Sequence, residues 1–376
     1  MLDTFKPIPV LSDAIKLDTL KKPIPVLSDA IKNKYYPSLN GIRGISIIIV
    51  VIFHLNLSSS YLYQLIFNGA LGVNIFFVLS GFLITSLCLK EKNDTGSLSL
   101  TNFYIRRALR IFPAAYLYIG VIILLNHIYQ LGIPKFQFAG AVFYVMNFSY
   151  FRSHSFAGLI GHYWSLSVEE QFYILFPFIL KINKSTFYYI ILFIVFGLPL
   201  LCVLQSVYTS LNKGVFYGFT HYLIKFQAIS VGCLFSLMVS SGTFDKRWLK
   251  STKIIGNVLA IILIFYLQYD PLYSIKAVYI NLTISLITGY LIITNLMPTN
   301  DWLFKLLNTK LLSFIGVLSY SIYIWHMLFI GIEPRLPNFI AAYPVNIVGI
   351  IIVPILSYFL FEKYFLKLKT KFKPRK

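Results

Sequence analysis

The chain has 376 residues, of which 57% are hydrophobic, 17% aromatic and only 12% charged, and its formal net charge is +20. Soluble globular domains carry about a quarter charged residues, so this composition excludes an ordinary soluble protein. It predicts an integral membrane protein with several apolar spans and aromatic belts at the membrane interfaces.

The first forty residues contain a tandem repeat. The segment KPIPVLSDAIK occurs at 6–16 and again at 22–32. Each copy has two prolines and is too short to cross a bilayer, and two copies do not make a repeat fold. We interpret residues 1–35 as a duplicated, mobile cytoplasmic arm, followed by a transmembrane domain at 36–366 and a basic cytoplasmic tail at 367–376.

The apolar segments predict an all-α integral membrane protein with about ten transmembrane helices and both termini in the cytoplasm. We expect the spans at about 42–58, 69–89, 108–130, 163–180, 186–208, 221–240, 253–270, 275–296, 312–332 and 341–362. A further apolar piece near 138–150 is too short to cross. We interpret it as a short re-entrant or interfacial helix on the outer side.

The positive charges agree with this topology. All but six of the 33 Lys and Arg residues fall on its cytoplasmic side, as the positive-inside rule requires. The six exceptions are Lys135, Arg152, Lys213, Lys225, Lys276 and Arg335. The net charge therefore reflects orientation and contact with anionic membrane lipids, and we expect no nucleic-acid partner.

Two ionisable residues interrupt the first span. Arg43 and His54 are eleven residues apart, which places them on one helix face about 16 Å apart along the axis. Arg43 alone would be explained as an anchor at the membrane surface, and His54 alone as a hydrogen bond between helices. Together they suggest a site, because a neutral imidazole is suited to proton abstraction.

Three arginines begin the third span on the same cytoplasmic side as Arg43. Arg107 and Arg110 share a helix face, and Arg106 lies beside them. Such a cluster is also an ordinary topology signal. As a functional site it would be a phosphate clamp for a donor such as coenzyme A, since guanidinium groups bind phosphate bidentately.

The fourth span contains Glu169 and Glu170, the only adjacent acidic pair in the chain. Adjacent helical side chains point about 100° apart, so we expect one of them to face a cavity and to orient His54. An ion pair with a neighbouring helix is the alternative. We interpret His162 as an interfacial residue at the outer edge, with a place in an acceptor entrance as the alternative, and His326 as a structural histidine.

Five segments recur in a fixed order: SLNGIRGISIIIVVIFH, GVNIFFVLSGFLIT, FYIRRALRIFP, HYWSLSVEEQFYILFP and FIGVLSYSIYIWH. Over roughly residues 36–365 the chain resembles the acyltransferase 3 family, polytopic membrane enzymes that O-acylate cell-surface polysaccharides. The family's Arg-x10-His motif falls on Arg43 and His54, and its Arg-x-x-Arg pair falls on Arg107 and Arg110. Its acidic position falls on Glu169.

The resemblance implies transfer of an acyl group, usually acetyl, from cytoplasmic acyl-CoA to a hydroxyl of an extracytoplasmic glycan, such as lipopolysaccharide O-antigen or exopolysaccharide. The acceptor is then a glycan or lipid-linked glycan, acyl-CoA is the co-substrate, and no metal is expected. His54 acts either as a base for direct transfer or through an acyl-histidine intermediate.

The resemblance also implies a location in the cytoplasmic (inner) membrane. Because KLKTKFKPRK follows the last span directly, we expect the stand-alone form without a C-terminal esterase-like domain. The alternative function is a proton-coupled transporter or flippase of a glycan or small solute, with His54 and Glu169 as proton relay. Matching Gly/Pro-broken segments in two repeat halves, typical of transporters, are not found in the sequence.

Overall fold

The computed structural model describes residues 37–152, 158–207, 214–244, 246–269, 273–296, 298–331 and 335–372. Within these ranges the chain is built from helices and contains no β-strand, which confirms the predicted all-α fold class. The duplicated arm and residues 373–376 of the basic tail lie outside the described residues.

The first half of the chain forms ten helices in its described part. They are α1 (Pro37–Leu55), α2 (Tyr61–Ile66), α3 (Gly69–Thr95), α4 (Leu100–Tyr129), α5 (Lys135–Val142), α6 (Ser149–Arg152), α7 (Gly158–Gly161), α8 (Tyr163–Ile182), α9 (Lys184–Leu192) and α10 (Leu198–Val207). A π-helical turn, Phe193–Gly197, joins α9 to α10 without a break in the helical path.

The described part of the second half continues in the same way. Its helices are α11 (Gly214–Leu223), α12 (Gln227–Ser240), α13 (Lys246–Tyr269), α14 (Tyr273–Thr294), α15 (Trp302–Leu307), α16 (Lys310–Trp325), α17 (Asn338–Ala341), α18 (Val345–Leu356) and α19 (Lys363–Leu368). Four short segments extend or connect them: 3₁₀ turns at Ile224–Phe226, His326–Phe329 and Lys369–Phe372 and a π-helical turn at Ser357–Glu362.

Among the described residues, seven helical segments are long and apolar enough to cross a membrane. They are Ser38–Leu55, Tyr61–Thr95, Leu100–Tyr129, Lys184–Gln205, Tyr217–Ser240, Lys310–Phe329 and Val345–Phe372. The remaining three predicted spans coincide with α8, α13 and α14. A multi-pass membrane fold is therefore confirmed, and the number of ten crossings stays a prediction.

The short helix α5 and the turn after it enter the molecule without crossing it. Its eight residues cover only about 12 Å. In the following turn, Tyr144 stacks on Phe112 of α4 with ring centroids 5.6 Å apart, and its carbonyl accepts a hydrogen bond from Gln171 of α8 at 2.8 Å. These contacts lie along the middle of two long helices, and the re-entrant or interfacial placement of this segment stays a prediction.

Local polar residues set several helix ends. The side chain of Asn68 accepts hydrogen bonds from the backbone amides of Ala70 and Leu71 and so begins α3. The same helix ends at Gly96, whose φ of +76° is a left-handed conformation that glycine adopts without strain. Asn183 has an extended backbone and separates α8 from α9 within a single residue.

Small residues let the central helices approach each other closely. A Cβ atom on Gly316 of α16 would lie 1.8 Å from the Asn40 carbonyl oxygen of α1, and one on Gly81 of α3 would lie 1.8 Å from the Ile229 carbonyl oxygen of α12. Glycine is therefore required at both crossings. The crossing of α1 with α16 positions the site, because these helices lead to His54 and His326.

The buried apolar residues form two clusters that meet along α8. Val168 and Phe172 belong to a cluster with α3, α9, α10, α12 and α14. Tyr163 and Leu166 belong to a second cluster with α1, α4, α5 and α16. Helix α8 thus passes from one core into the other, and its polar residues lie between them.

Candidate active site

A cavity of about 90 Å³ lies between α1, α3, α4, α8 and α16. Three guanidinium groups face it, from Arg43 on α1 and from Arg107 and Arg110 on α4. We call it the arginine cavity. Its other polar lining residues are Ser80, Ser165, Glu169, Tyr173, Ser319, Tyr320 and Tyr323. Three of the four arginines that the sequence singled out therefore lie around one cavity.

Glu169 belongs to the arginine cavity and is held by hydroxyl groups. Its Oε1 accepts a hydrogen bond from Ser80 and a longer one, at 3.3 Å, from Tyr173. The Tyr173 hydroxyl also lies 2.7 Å from the Ser80 oxygen. The Arg107 guanidinium stacks over the Tyr173 ring, 3.8 Å from its centroid. The carboxylate, both hydroxyls and the arginine form one polar cluster.

The charges of the arginine cavity do not balance. Three guanidinium groups face one carboxylate, so the lining is net positive. The Nε atom of Arg107 is buried and has no hydrogen-bond partner among the described residues. Leaving such a donor unsatisfied costs free energy, and an anion that accepts hydrogen bonds would remove that cost.

Arg106 has a different environment from the other arginines. Its Nη2 lies 2.6 Å from Glu91 Oε2 in an ion pair, and its Nη1 donates to the Phe372 carbonyl at 2.7 Å. It is not among the residues that line the arginine cavity. Lys369 lies within electrostatic range of all four arginines. Arg106 therefore ties the end of α3 to the turn at 369–372, beside the start of α4.

A second and larger cavity, of about 450 Å³, lies on the predicted outer side. Two imidazole rings face it, those of His54 and His162, and we call it the histidine cavity. Its remaining lining residues are Phe53, Asn68, Gly69, Ala70, Val73, Gly158, Gly161, Trp164, Tyr323 and Met327. The lining is mostly apolar with a few polar groups, as in sites for organic ligands.

His54 lies one residue before the C-terminal end of α1, so it is closer to the outer end of the span than the sequence suggested. Its Nδ1 is 2.9 Å from the Val50 carbonyl oxygen and 3.4 Å from Nε2 of His326. A carbonyl oxygen only accepts, so Nδ1 carries the proton. The Nε2 of the neutral ring then carries the lone pair that can accept a proton.

His162 is also placed for contact with a ligand. Its side chain is buried, and neither ring nitrogen has a hydrogen-bond partner in the described part of the chain, although the Ile324 backbone lies near the ring. The ring lies 5.7 Å from that of His326, centroid to centroid. Of the described residues, no group of three histidine, cysteine or acidic side chains is arranged to hold a metal ion.

The two cavities adjoin each other, because Val73 and Tyr323 line both of them. The Tyr323 hydroxyl donates to the His162 carbonyl at 3.0 Å and is hydrogen-bonded to Ser165 at 2.6 Å. Only this thin wall separates the arginines from the histidines. The arginine cavity and the histidine cavity are therefore immediate neighbours.

The structure corrects one predicted relationship within the site. Glu169 does not orient His54: its hydrogen-bond partners are Ser80 and Tyr173, and it lines the other cavity. The physical reason is position along the helices, since Glu169 lies six residues, or about 9 Å, along α8 from its start at Tyr163. His54 lies at the C-terminal end of α1, beside the residues that precede and begin α8.

Two further predicted residues have distinct positions. Glu170 lines neither cavity; it is buried, and its Oε1 has no hydrogen-bond partner among the described residues. His326, interpreted from the sequence as a structural residue, is fully buried and contacts His54 directly. A histidine inside an apolar span was the signal for this residue, but its partner could not be identified without the packing of α16 on α1.

The fold and site together define a multi-pass membrane protein in which an arginine-lined cavity adjoins a histidine-lined one. A family profile described as an acyltransferase domain matches residues 36–361. The chain therefore belongs to the acyltransferase 3 family, and the resemblance inferred from the five motifs is confirmed. No solved structure matches the chain.

Several curated relatives carry related names. A Staphylococcus aureus (strain COL) protein with a provisional O-acetyltransferase name is 33% identical over 89% of this chain and 58% of its own length. The peptidoglycan O-acetyltransferase OatA of Listeria monocytogenes is 31% identical over 78% of this chain and 49% of its own. The O-acetyltransferase OatA of S. aureus (strain NCTC 8325 / PS 47) is 32% identical over 78% and 50%. The chain thus spans about half the length of these relatives.

Proposed function

We propose that the protein transfers an acetyl group from cytoplasmic acetyl-CoA to a hydroxyl group of an extracytoplasmic glycan. The adjacency of the two cavities carries this proposal, because one supplies cations for a donor and the other an imidazole for the reaction, with Tyr323 lining both. A location in the cytoplasmic membrane would give the protein access to acyl-CoA on one side and to glycans on the other.

The arginine cavity is the proposed donor site. Phosphate groups would bind Arg43, Arg107 and Arg110, since guanidinium and phosphate form charge-assisted, bidentate hydrogen bonds. The cavity of about 90 Å³ is too small for the whole of coenzyme A. The nucleotide would therefore remain at the cytoplasmic mouth while the pantetheine arm extends towards Tyr323 and brings the thioester to the histidines.

The histidine cavity is the proposed acceptor site. The free Nε2 of His54 takes the proton of the acceptor hydroxyl while the hydroxyl oxygen attacks the thioester carbonyl carbon. The carbon–sulfur bond then breaks, its electron pair leaves with sulfur, and Nε2 returns the proton to the thiolate. The products are an O-acetyl ester and free coenzyme A. His162 lines the same cavity, and its ring nitrogens have no hydrogen-bond partner among the described side-chain contacts, so it would hydrogen-bond the acceptor.

The names of the relatives suggest which acceptor to examine first. One relative is named for O-acetylation of peptidoglycan, so we propose a cell-wall glycan as the leading acceptor. Lipopolysaccharide O-antigen and exopolysaccharide, inferred from the family resemblance, are the other glycans to compare. Base-labile acetate on each purified glycan, with and without the protein, identifies which of them is modified.

The test of the proposed base is the His54→Ala variant in the same cells. We expect glycan-bound acetate to fall by about 100-fold or more, the size of a general-base contribution. The matched control is His127→Ala, which removes an exposed imidazole near the outer end of α4. Undiminished acetylation by His54→Ala, with the variant present in the membrane, would refute the proposed role.

A further inference from the structure

The imidazole of His326 lies next to that of His54 but takes no direct part in the proposed reaction. We propose that His326 is the positioning residue of His54, accepting the hydrogen bond that an acidic side chain was expected to accept. This inference rests on the proposed function, because it assumes that His54 is the base. The observation that supports it is the distance of 3.4 Å between Nδ1 of His54 and Nε2 of His326. The two residues are 272 positions apart in the sequence.

The backbone fixes where the protons lie on the two rings. Nδ1 of His326 is 2.7 Å from the Tyr323 carbonyl oxygen, and Nδ1 of His54 is 2.9 Å from that of Val50. Because carbonyl oxygens only accept, each Nδ1 carries a proton. The Nε2 of a neutral His326 then has a lone pair directed at the Nδ1–H of His54, and the acceptor is in place before the reaction begins.

The hydrogen bond between His54 and His326 becomes stronger during the proposed reaction. When Nε2 of His54 takes a proton, the ring becomes an imidazolium, and its Nδ1–H becomes a charge-assisted donor. The Val50 carbonyl and Nε2 of His326 then both accept from it and keep the opposite nitrogen directed into the histidine cavity. No acidic side chain hydrogen-bonds either ring among the described residues. A neutral acceptor also avoids the cost of a buried carboxylate.

The surroundings of His326 keep its ring in one place. The side chain is fully buried, and its ring centroid lies 5.6 Å from that of Tyr323 and 5.1 Å from that of His54. Its helix is fixed against α1 through the close contact of Gly316 with Asn40. The two imidazoles therefore belong to two helices whose backbones touch, which is the support that a precise hydrogen bond needs.

Two conservative variants separate positioning from packing. A glutamine at this position places its amide oxygen near the site of Nε2 and can still accept from His54. An asparagine reaches only the site of Nδ1, so it keeps a hydrogen bond to Tyr323 but not the one to His54. Both are compared with the wild type in proteoliposomes that hold acetyl-CoA inside and chitooligosaccharide outside, with release of coenzyme A and acetyl transfer both recorded.

We expect His326→Asn to lower kcat by about 10- to 100-fold with the KM for acetyl-CoA changed less than about threefold, since the donor site is elsewhere. His326→Gln should recover most of that loss. In a His54→Ala background, His326→Asn should have no further effect, because the two residues act as a unit. Equal kcat values for the Gln and Asn variants would overturn the proposal.

A measurement on the wild-type protein does not depend on any variant folding. Solid-state NMR of ¹⁵N-histidine-labelled protein should show His326 with its proton on Nδ1 and an unprotonated Nε2. A proton on Nε2 of His326 would refute the acceptor role. If His54→Ala is fully active, the proposed function itself fails; if that variant is inactive but His326→Asn retains the wild-type kcat, only the present inference fails.

Discussion

The hydroxyl oxygens of Tyr323 and Ser165 lie 2.6 Å apart at the boundary between the arginine cavity and the histidine cavity. Tyr323 also donates to the His162 carbonyl, so two groups at the start of α8 hold its hydroxyl in place. Together with Val73, these groups form the wall between the two cavities. A wall of this kind would keep water from one side away from a thioester presented on the other.

The first prediction concerns this wall. Tyr323→Phe removes the hydroxyl and both of its hydrogen bonds while the ring remains. We expect the ratio of acetyl-CoA hydrolysis to glycan acetylation to rise by about tenfold, because water gains access to the thioester when the wall loosens. The measurement compares coenzyme A release with ester formation in the same vesicles. An unchanged ratio would show that the hydroxyl does not keep water out.

The second prediction separates two adjacent arginines. Arg107→Gln should raise the KM for acetyl-CoA by about 10- to 100-fold, the equivalent of one or two charge-assisted hydrogen bonds to phosphate. Arg106→Gln should leave that KM within about threefold and lower the unfolding temperature instead, because Arg106 is ion-paired with Glu91 at 2.6 Å. Equal changes of KM in both variants would argue against a donor site defined by the cavity lining.

The third prediction concerns the carboxylate among the arginines. Glu169→Gln retains an acceptor for Ser80 but leaves three guanidinium groups without a counter-charge, so the unliganded variant should unfold at a lower temperature. Added coenzyme A should reduce the difference in unfolding temperature between the variant and the wild type, since its phosphates supply negative charge. Thermal unfolding in detergent, with and without coenzyme A, measures both. A difference that coenzyme A leaves unchanged would contradict phosphate binding here.

The fourth prediction concerns a buried ion pair outside the site. Lys253 Nζ lies 2.8 Å from Asp301 Oδ2, with side chains that are 6% and 7% exposed, and Asp301 also accepts from the Phe304 amide at 2.8 Å. Asp301→Asn should lower the free energy of unfolding by about 1.5–3 kcal/mol at neutral pH. Asp94→Asn, at an exposed acid near the end of α3, is the matched control.

The pH dependence of this pair has a definite sign. Burial by itself would raise the pKa of the Asp301 carboxyl, but hydrogen bonds from Lys253, Thr299 and the Phe304 amide outweigh it and lower the pKa to about 2. The unfolded chain therefore binds the proton more readily, and the stabilisation is present above about pH 4 and lost as the pH falls towards 2. The unfolding temperatures of wild type and Asp301→Asn should converge over that range. A constant difference would mean that the carboxylate charge is not responsible.

Much of the site follows from residue spacing within single helices. The eleven-residue interval of Arg43 and His54 predicts that one helix carries both, and the three-residue interval of Arg107 and Arg110 predicts that both face one side. The structure has them on α1 and α4, with the three arginines around one cavity. The relationships within α1 and within α4 depend only on helical periodicity, so the sequence alone was sufficient for them. That α1 and α4 present their arginines to the same cavity depends on how the helices pack.

Contacts between helices that are far apart in the sequence were harder to predict from the sequence. The partner of His54 is His326, and their contact depends on how α16 crosses α1. Spacing contains no information on that crossing. Gly316 was a partial signal, since small residues mark close helix contacts, but the sequence does not say which helix comes close. Glu169 was assigned to His54 because both were intramembrane and ionisable, whereas their depths place them in different cavities.

The contact between Arg106 and the Phe372 carbonyl affects where the polypeptide can be altered for purification. It fastens the last described turn of the polypeptide to the helix that also carries Arg107 and Arg110. An affinity tag fused directly after this turn, or a truncation that removes it, would disturb the position of α4. The arginines of the proposed donor site would move with that helix.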